Sequence, residues 1–310
     1  MRLRSAQPMH ADPRPKLLRR LAWLTLLLLL AVTCLSAYLR HSAAGLGCAP
    51  WPGCFGQGER AAAGAVVVGG QALTLARAAH RVTATLALLL VIAMVVVSFA
   101  QRPRLRREGA LALALLVLAL LLALLGVFTP GSRLPAVAIG NLLGGFLMLA
   151  IAARLVARPA QRGLGGWAIG VALLLLAQVV SGALVSAAFA GLACTDIREC
   201  LDQSRMAGWD WRALNPWREP TFAVGTPHAE GALAQLLHRL ASGVVAPALA
   251  GLAVLALRRG HRREGLALLL LLASVVALGL VAGSSGLPLV PVLLHNLAAA
   301  LLLALVLRLV

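Results

Sequence analysis

Eight apolar stretches follow one another along the chain, each close to the about 20 residues that a helix needs to cross about 30 Å of hydrocarbon. Polar and charged positions are concentrated between them. Backbone groups in lipid must be hydrogen-bonded within their own segment, and the stretches are far too long for barrel strands. The pattern therefore predicts an all-α membrane protein with eight transmembrane helices, at residues 19–39, 73–100, 109–128, 135–157, 164–188, 229–257, 265–283 and 288–309.

Composition and charge agree with a membrane location. Hydrophobic residues make up 61% of the chain and charged residues only 12%, which is too apolar for a soluble protein of this length. The formal net charge of +18 is a topology signal, because basic residues cluster before the first span and after the second, fourth and sixth. The positive-inside rule assigns these segments and both termini to the cytoplasm. Nucleic-acid binding is therefore not expected.

Four of the five cysteines fall in predicted outer loops, Cys48 and Cys54 in the first and Cys194 and Cys200 in the third. In an oxidising periplasm these two pairs predict two disulfides, each closing a short loop. A zinc site made by the four cysteines is the alternative. Charge and cysteine usage together predict a multi-pass protein of the bacterial inner membrane, surrounded by the lipid bilayer.

The two halves of the chain repeat each other. Three motifs recur in order: Gly45-Leu46-Gly47-Cys48 with Gly191-Leu192-Ala193-Cys194, His80-Arg81 with His238-Arg239, and Leu134-Pro135 with Leu287-Pro288. Because each half has four helices, an even number, both halves cross the membrane in the same direction. We expect two tandem four-helix bundles in a parallel repeat, at residues 19–157 and 164–309, after a basic cytoplasmic tail at 1–18.

Two histidines lie inside apolar spans at one depth, His238 in the sixth and His295 in the eighth. Each is roughly 10–14 Å below the outer surface at about 1.5 Å per residue. Two neutral imidazoles at one level on two helices are what bis-histidine heme ligation needs; the alternative is a hydrogen bond between helices. His80 in the second span lies at a similar depth. The residue that would face it from the fourth span is Asn141, which is a poor iron ligand.

Arg81 and Arg239 directly follow two of these histidines. Pairing with heme propionates would offset the cost of burying them; the alternative is that they snorkel to the outer interface. The other four histidines fall in predicted loops or tails, and we expect them to be solvated: His10, His41, His228 and His261.

Glycines at Gly140, Gly144 and Gly145 in the fourth span would allow an apolar cleft wide enough for a porphyrin to form between helices. Small residues are equally common at plain helix–helix contacts.

The first outer loop carries a specific motif, Gly45-Leu46-Gly47-Cys48-Ala49-Pro50-Trp51-Pro52-Gly53-Cys54-Phe55-Gly56, shortly after Arg40. With His80-Arg81, Asn141-Leu142-Leu143-Gly144-Gly145, Leu192-Ala193-Cys194, Gln235-Leu236-Leu237-His238-Arg239 and His295-Asn296, this loop resembles the heme A synthase family. The resemblance covers essentially all eight spans. It implies a membrane oxidoreductase that oxidises the C8 methyl group of heme O to the formyl group of heme A, for cytochrome c oxidase biogenesis.

The resemblance also implies roles for individual residues. His238 and His295 match the iron ligands of a heme b in the C-terminal half. The N-terminal half matches the site of the substrate heme O, where His80 is an axial ligand in the catalytic site and the loop cysteines help redox transfer. Implied partners are heme O, the heme O synthase that supplies it and the terminal oxidase assembly machinery.

Two positions depart from the family pattern. The family has a glutamate three residues before the second-span histidine, where this chain has Arg77, and a histidine where this chain has Asn141. A carboxylate could accept a proton or stabilise a carbocation during hydroxylation, and Arg77 can do neither; Glu59 is the nearest outer-loop carboxylate. Two alternatives therefore stay open: a non-catalytic heme b-binding oxidase assembly factor or electron carrier, and a transporter built on the parallel repeat.

Overall fold

The computed structural model describes residues 12–43, 70–129, 132, 134–157, 164–219 and 231–310. Nine α-helices and no strand lie in these ranges. Eight of the helices are long and apolar enough to cross a membrane, which confirms the eight predicted spans. The helices are α1 (Arg14–Ala43), α2 (Gly70–Phe99), α3 (Arg106–Phe128), α4 (Pro135–Val156), α5 (Gly166–Ala187), α6 (Ile197–Met206), α7 (Ala232–Arg258), α8 (Arg262–Ser284) and α9 (Leu289–Leu309).

The short α6 lies between the fifth and sixth spans, so that the last three spans are α7, α8 and α9. Its N-cap is Asp196, whose carboxylate accepts a hydrogen bond from the Glu199 amide at 2.8 Å. Glu199 in turn accepts hydrogen bonds from the hydroxyl and the backbone N–H of Thr195. These bonds lower the pKa of the Glu199 carboxyl below its usual value. We call the side of the molecule that carries this helix the α6 end.

A disulfide joins Cys194, which precedes α6, to Cys200 within it, with the two Cα atoms 5.0 Å apart. This predicted pair is confirmed. The other predicted pair, Cys48 and Cys54, lies outside the described residues.

Contacts between helices divide the spans into two groups. In the first group α1 and α3 each contact both α2 and α4, and in the second α5 and α8 each contact both α7 and α9. The groups meet where α4 packs on α9 and on α5, and where α1 packs on α9. Part of the core lies at this meeting, and its side chains have almost no exposed surface: Leu149, Ala152, Leu302, Leu303 and Val306.

At the end opposite α6, polar contacts hold the last turn of α9. Arg154 in α4 donates a hydrogen bond to the Leu307 carbonyl at 3.2 Å, and the Leu164 amide donates to the Leu309 carbonyl at 2.9 Å. Arg308 also pairs with Glu264 in α8 at 3.5 Å. The two groups of helices are therefore joined by hydrogen bonds as well as by apolar packing.

Large apolar side chains also cover the outside of the helices, most densely on α3, where Leu121, Leu124, Val127 and Phe128 are exposed. A soluble monomer rarely exposes a continuous apolar surface of this kind. In a bilayer the same side chains face acyl chains. The chain is a multi-pass membrane protein.

Candidate functional site

A cavity of about 880 Å³ lies between the two groups of helices, on the side of the α6 end. Side chains of α1, α4, α5, α7, α8 and α9 line this central cavity. Most of its wall is apolar, and Leu142, Phe146, Leu175, Val179 and Leu272 are part of it. Ligand sites for small molecules are typically apolar clefts of about 300–1,000 Å³ with a few polar groups, and the central cavity has this character.

His238 and His295 both line the central cavity. Each is the seventh residue of its helix, in α7 and α9 respectively. The structure therefore brings together the two histidines that the sequence pairs by depth.

The proton of the His295 ring can be assigned from its contacts. Its Nδ1 lies 2.8 Å from the Val275 carbonyl oxygen in α8. A carbonyl oxygen can only accept, so Nδ1 carries the proton and donates it. The other ring nitrogen, Nε2, is then left with a lone pair in the neutral imidazole.

His238 has two polar neighbours at Nδ1. The Ser181 hydroxyl lies 2.9 Å from this nitrogen and 2.8 Å from the Gln178 carbonyl, and the side-chain nitrogen of Gln178, which can only donate, lies 3.2 Å from it. These contacts fit a proton on either ring nitrogen of His238. Gln178 also donates from its side chain to the His238 carbonyl at 3.0 Å, which ties α5 to α7 beside the ring.

A glycine on the neighbouring helix makes room for each imidazole. A Cβ at Gly182 in α5 would lie 2.8 Å from Cε1 of His238, and a Cβ at Gly279 in α8 would lie 3.0 Å from Cε1 of His295. Both distances are shorter than ordinary van der Waals contact. Sequence reasoning missed these two glycines, although each is part of an otherwise bulky apolar span.

Arg239 extends from α7 towards the disulfide. Its guanidinium donates to the Cys194 carbonyl at 3.3 Å and to the Cys200 sulfur at 3.6 Å. The carboxylates of Asp196 and Glu199 are near enough to offset part of its charge. Arg239 also lines the central cavity, so that it connects the cavity wall to the capped start of α6.

The first group of helices contributes polar residues to the same cavity, Arg40 and His41 at the end of α1. The expectation that His41 is solvated is wrong: its side chain is 4% exposed, and Nε2 lies 2.9 Å from the Leu287 carbonyl. The reason is that α1 continues beyond the apolar stretch to Ala43. The additional turn carries His41 against the connection between α8 and α9.

Residues 19–307 match the family model described as cytochrome oxidase assembly protein. The chain is also 29% identical to the heme A synthase of Shewanella oneidensis, in an alignment that covers 92% of this chain and 94% of that protein. The chain belongs to the heme A synthase family. Membership in this family supports a part in heme A biosynthesis for oxidase assembly.

The residues that depart from the family pattern lie in the first group of helices. His80 in α2 is half-buried, and Arg77 and Arg81 on the same helix are exposed. Asn141 is half-buried and is the seventh residue of α4, as His295 is of α9. None of these four residues lines the central cavity, so the structure does not gather them with His238 and His295.

The glycines of α4 differ in what surrounds them. A Cβ at Gly144 would lie 2.6 Å from Leu122, and one at Gly140 would lie 3.3 Å from Leu125. These two glycines therefore allow α4 to pack closely on α3. This is the ordinary helix–helix contact that the sequence offered as the alternative to a porphyrin cleft. Gly145 has open space beside it.

Within the described ranges, no group of three or more His, Cys, Asp or Glu side chains is arranged to hold a metal ion. Cys194 and Cys200 are joined as a disulfide, which leaves neither thiolate free for zinc. Of the remaining histidines, His261 is half-exposed, and His10 and His228 lie outside the described residues.

Proposed function

We propose that this protein oxidises the C8 methyl group of heme O to the formyl group of heme A, and that it holds a heme b between His238 and His295. The observation that carries the proposal is the pair of imidazoles on the wall of one cavity, each held at Nδ1 by a polar group of a neighbouring helix. Membership in the heme A synthase family supports the reaction.

The residues of the central cavity fit a bis-histidine heme. Iron binds the lone pair of a neutral imidazole, and a hydrogen bond from the other ring nitrogen orients such a ligand. Within the described residues no hydrogen bond reaches Nε2 of His238 or of His295. The glycines at 182 and 279 allow both rings to stand close to their helices, and the apolar wall suits a porphyrin. When bound there, heme b would supply a one-electron carrier.

The substrate site belongs to the first group of helices in this proposal, with heme O near His80. Conversion of a methyl to a formyl group adds one oxygen atom and removes four electrons from the substrate, so the substrate site must exchange electrons with a carrier. Contacts of α1 and α4 with α9 and α5 join the two groups of helices.

Arg77 and Asn141 define what this chain can contribute to the substrate step. An arginine stays protonated and cannot accept a proton from the substrate, and an asparagine amide is a poor ligand for iron. The half-buried His80 is then the side chain proposed to orient heme O. Arg77 therefore has no role as a proton acceptor in the proposed reaction.

We further propose a parallel repeat of two four-helix halves, at residues 19–157 and 164–309, in the bacterial inner membrane with both termini and the 1–18 tail in the cytoplasm. The identical sequence of helix contacts in the two groups supports the repeat. The arginine-rich connections at the end opposite α6 support the orientation. Heme O synthase and the oxidase assembly machinery are the proposed partners.

The test is to purify the protein from cells that also express a heme O synthase, and to identify the extracted hemes by chromatography and mass spectrometry. Heme A or its hydroxylated intermediate is the expected product. A His80→Ala variant is expected to retain heme B and lose the oxidised heme. Heme B alone in the wild-type protein, with heme O present and unconverted, would contradict the catalytic proposal and favour an assembly factor or electron carrier.

A further inference from the structure

Arg40 is a cation on the wall of the central cavity with few compensating contacts. Its one side-chain hydrogen bond in the described structure goes from Nη1 to the Ser36 hydroxyl at 2.8 Å. Its Nε is buried and has no hydrogen-bond partner among the described residues. None of the ion pairs in the described part of the chain includes Arg40.

An arginine keeps its charge in any protein environment, and a buried charge without a counter-charge is costly. The end of α1 provides a partial negative charge from its last carbonyl groups, which offsets only part of a full positive charge. Among the described residues no carboxylate pairs with Arg40, so an anion that reaches the wall of the cavity would stabilise the remaining charge.

The sequence pairs two other arginines with heme propionates, Arg81 and Arg239. Arg81 does not line the central cavity, and the surroundings of Arg239 differ from those of Arg40. It already donates to the Cys194 carbonyl and to the Cys200 sulfur. The carboxylates of Asp196 and Glu199 also offset its charge. Of the two arginines, Arg40 therefore has the greater unmet need for a ligand anion.

The position of Arg40 is fixed from outside its own group of helices. The adjacent His41 is buried, and its Nε2–H donates to the Leu287 carbonyl in the connection between α8 and α9. The end of α1 is thereby held against the second group. The backbone at Arg40 is therefore fixed beside the cavity, and the contact with Ser36 is the one hydrogen bond that orients its side chain in the described structure.

We infer that Arg40 binds a carboxylate of the ligand in the central cavity, so that α1 of the first group completes the ligand site of the second. The inference rests on the proposed function, because the ligand class is an apolar macrocycle that carries carboxylate groups. Arg40 is a positioning residue in this role: it holds the edge of the ligand while His238 and His295 hold its centre.

The experiment titrates two probes into the full-length protein, purified without heme in detergent: ferric protoheme and its dimethyl ester, in which both carboxylates are masked. Binding is followed by the low-spin Soret band. A charge-assisted hydrogen bond predicts that the wild-type protein binds protoheme about tenfold to hundredfold more tightly than the ester. Arg40→Gln is expected to remove most of this preference while leaving the affinity for the ester unchanged.

Three controls separate the role of Arg40 from general effects. Arg40→Lys keeps the charge and is expected to retain part of the preference, and Arg239→Gln is expected to reduce it less than Arg40→Gln does. Glu59 is the one acidic residue between positions 44 and 69 and lies outside the described residues. Glu59→Gln is expected to leave the preference unchanged.

The outcomes distinguish this inference from the proposed function. If Arg40→Gln weakens both probes equally, or if the wild-type protein does not discriminate between them, Arg40 is not the carboxylate anchor and the histidine assignment stands. If neither probe gives a low-spin spectrum with the wild-type protein, the proposed heme b site fails and the inference fails with it.

Discussion

The two groups of helices share an order of contacts but differ in chemistry. In the second, both α7 and α9 carry a histidine as their seventh residue, and Nδ1 of each imidazole has a polar partner on a neighbouring helix. In the first, α4 has Asn141 as its seventh residue, and α2 has His80 next to an exposed Arg81. The order of helix contacts is therefore common to both groups, whereas the histidine pair on the cavity wall belongs to the second group.

One glycine illustrates the difference. Gly279 stands nine residues before Pro288, and its Cβ would contact His295. Gly126 stands nine residues before Pro135 and has no atom within 4 Å of a Cβ. The first group has a glycine at the matching position of α3, but α4 has an asparagine where α9 has its histidine. The two groups therefore share this glycine position and differ in the ligand.

The largest expected effect is the loss of bound heme from His238→Ala or His295→Ala. Each variant removes one of two iron ligands, so the low-spin b-type spectrum should disappear from the purified protein. His80→Ala and the half-exposed His261→Ala are the matched controls and should retain it. A protein without His295 that keeps a normal low-spin b spectrum would rule out the assignment.

Asn141→His tests whether a second histidine allows the first group of helices to bind a low-spin heme. In the proposed repeat a histidine at position 141 would stand opposite His80, so we expect low-spin heme to rise from about one towards about two per chain. Heme and protein are quantified on the same sample, with electron paramagnetic resonance to count low-spin species. Adding His80→Ala to this variant should cancel the gain; a gain that persists would place the new heme elsewhere.

Gly182→Ala should weaken heme binding in the second group without abolishing it. The added methyl group meets the His238 ring at 2.8 Å, and overpacking of this kind costs about 1–3 kcal/mol. Heme retention should therefore weaken by about fivefold to over a hundredfold, as measured by the rate of heme transfer to an acceptor protein. Gly170→Ala on the same helix has open space beside it and should have no effect; equal losses in the two variants would indicate a general helix effect.

The smallest expected effect is that of Ser181→Ala. Iron bound at Nε2 of His238 requires the proton on Nδ1, and this variant then removes its nearest acceptor, Ser181, a hydrogen bond worth about 1 kcal/mol, or about fivefold in heme affinity. The midpoint potential of the heme should shift as well, because this bond tunes the ligand. Ser242→Ala is the control on α7, since its hydroxyl donates to the Arg239 carbonyl and not to an imidazole. An unchanged potential in Ser181→Ala would argue against a hydrogen bond from His238 to Ser181 in the heme-bound protein.

The helices and the histidine pair were predictable because they depend on local signals. Apolar length alone predicts the eight spans. Some observed ends extend beyond the prediction, as α1 does through Arg40 and His41, and others fall short of it, as α7 does by beginning at Ala232. The depths of His238 and His295 follow from counting along single helices. The disulfide of Cys194 and Cys200 follows from spacing and compartment.

The hydrogen-bond partners of the imidazoles and the residues of the cavity wall were not predictable in the same way. The Val275 carbonyl is a backbone group, so the sequence of side chains does not indicate its role. Gly182 is one of many small residues in the apolar spans. The burial of His41 depends on the connection at Leu287, which is 246 positions away in the sequence. Such contacts require the relative rotation of whole helices, which hydropathy does not encode.

The share of the central cavity wall that α1 and α4 provide bears on how such a protein arises. Under the duplication proposed above, a single ancestral four-helix unit would leave its ligand exposed where the other unit now stands. Two copies would have had to associate before either could enclose a ligand, so the ancestor would have worked as a dimer. Fusion into one chain then allowed one copy to change its ligand set while the other preserved its own.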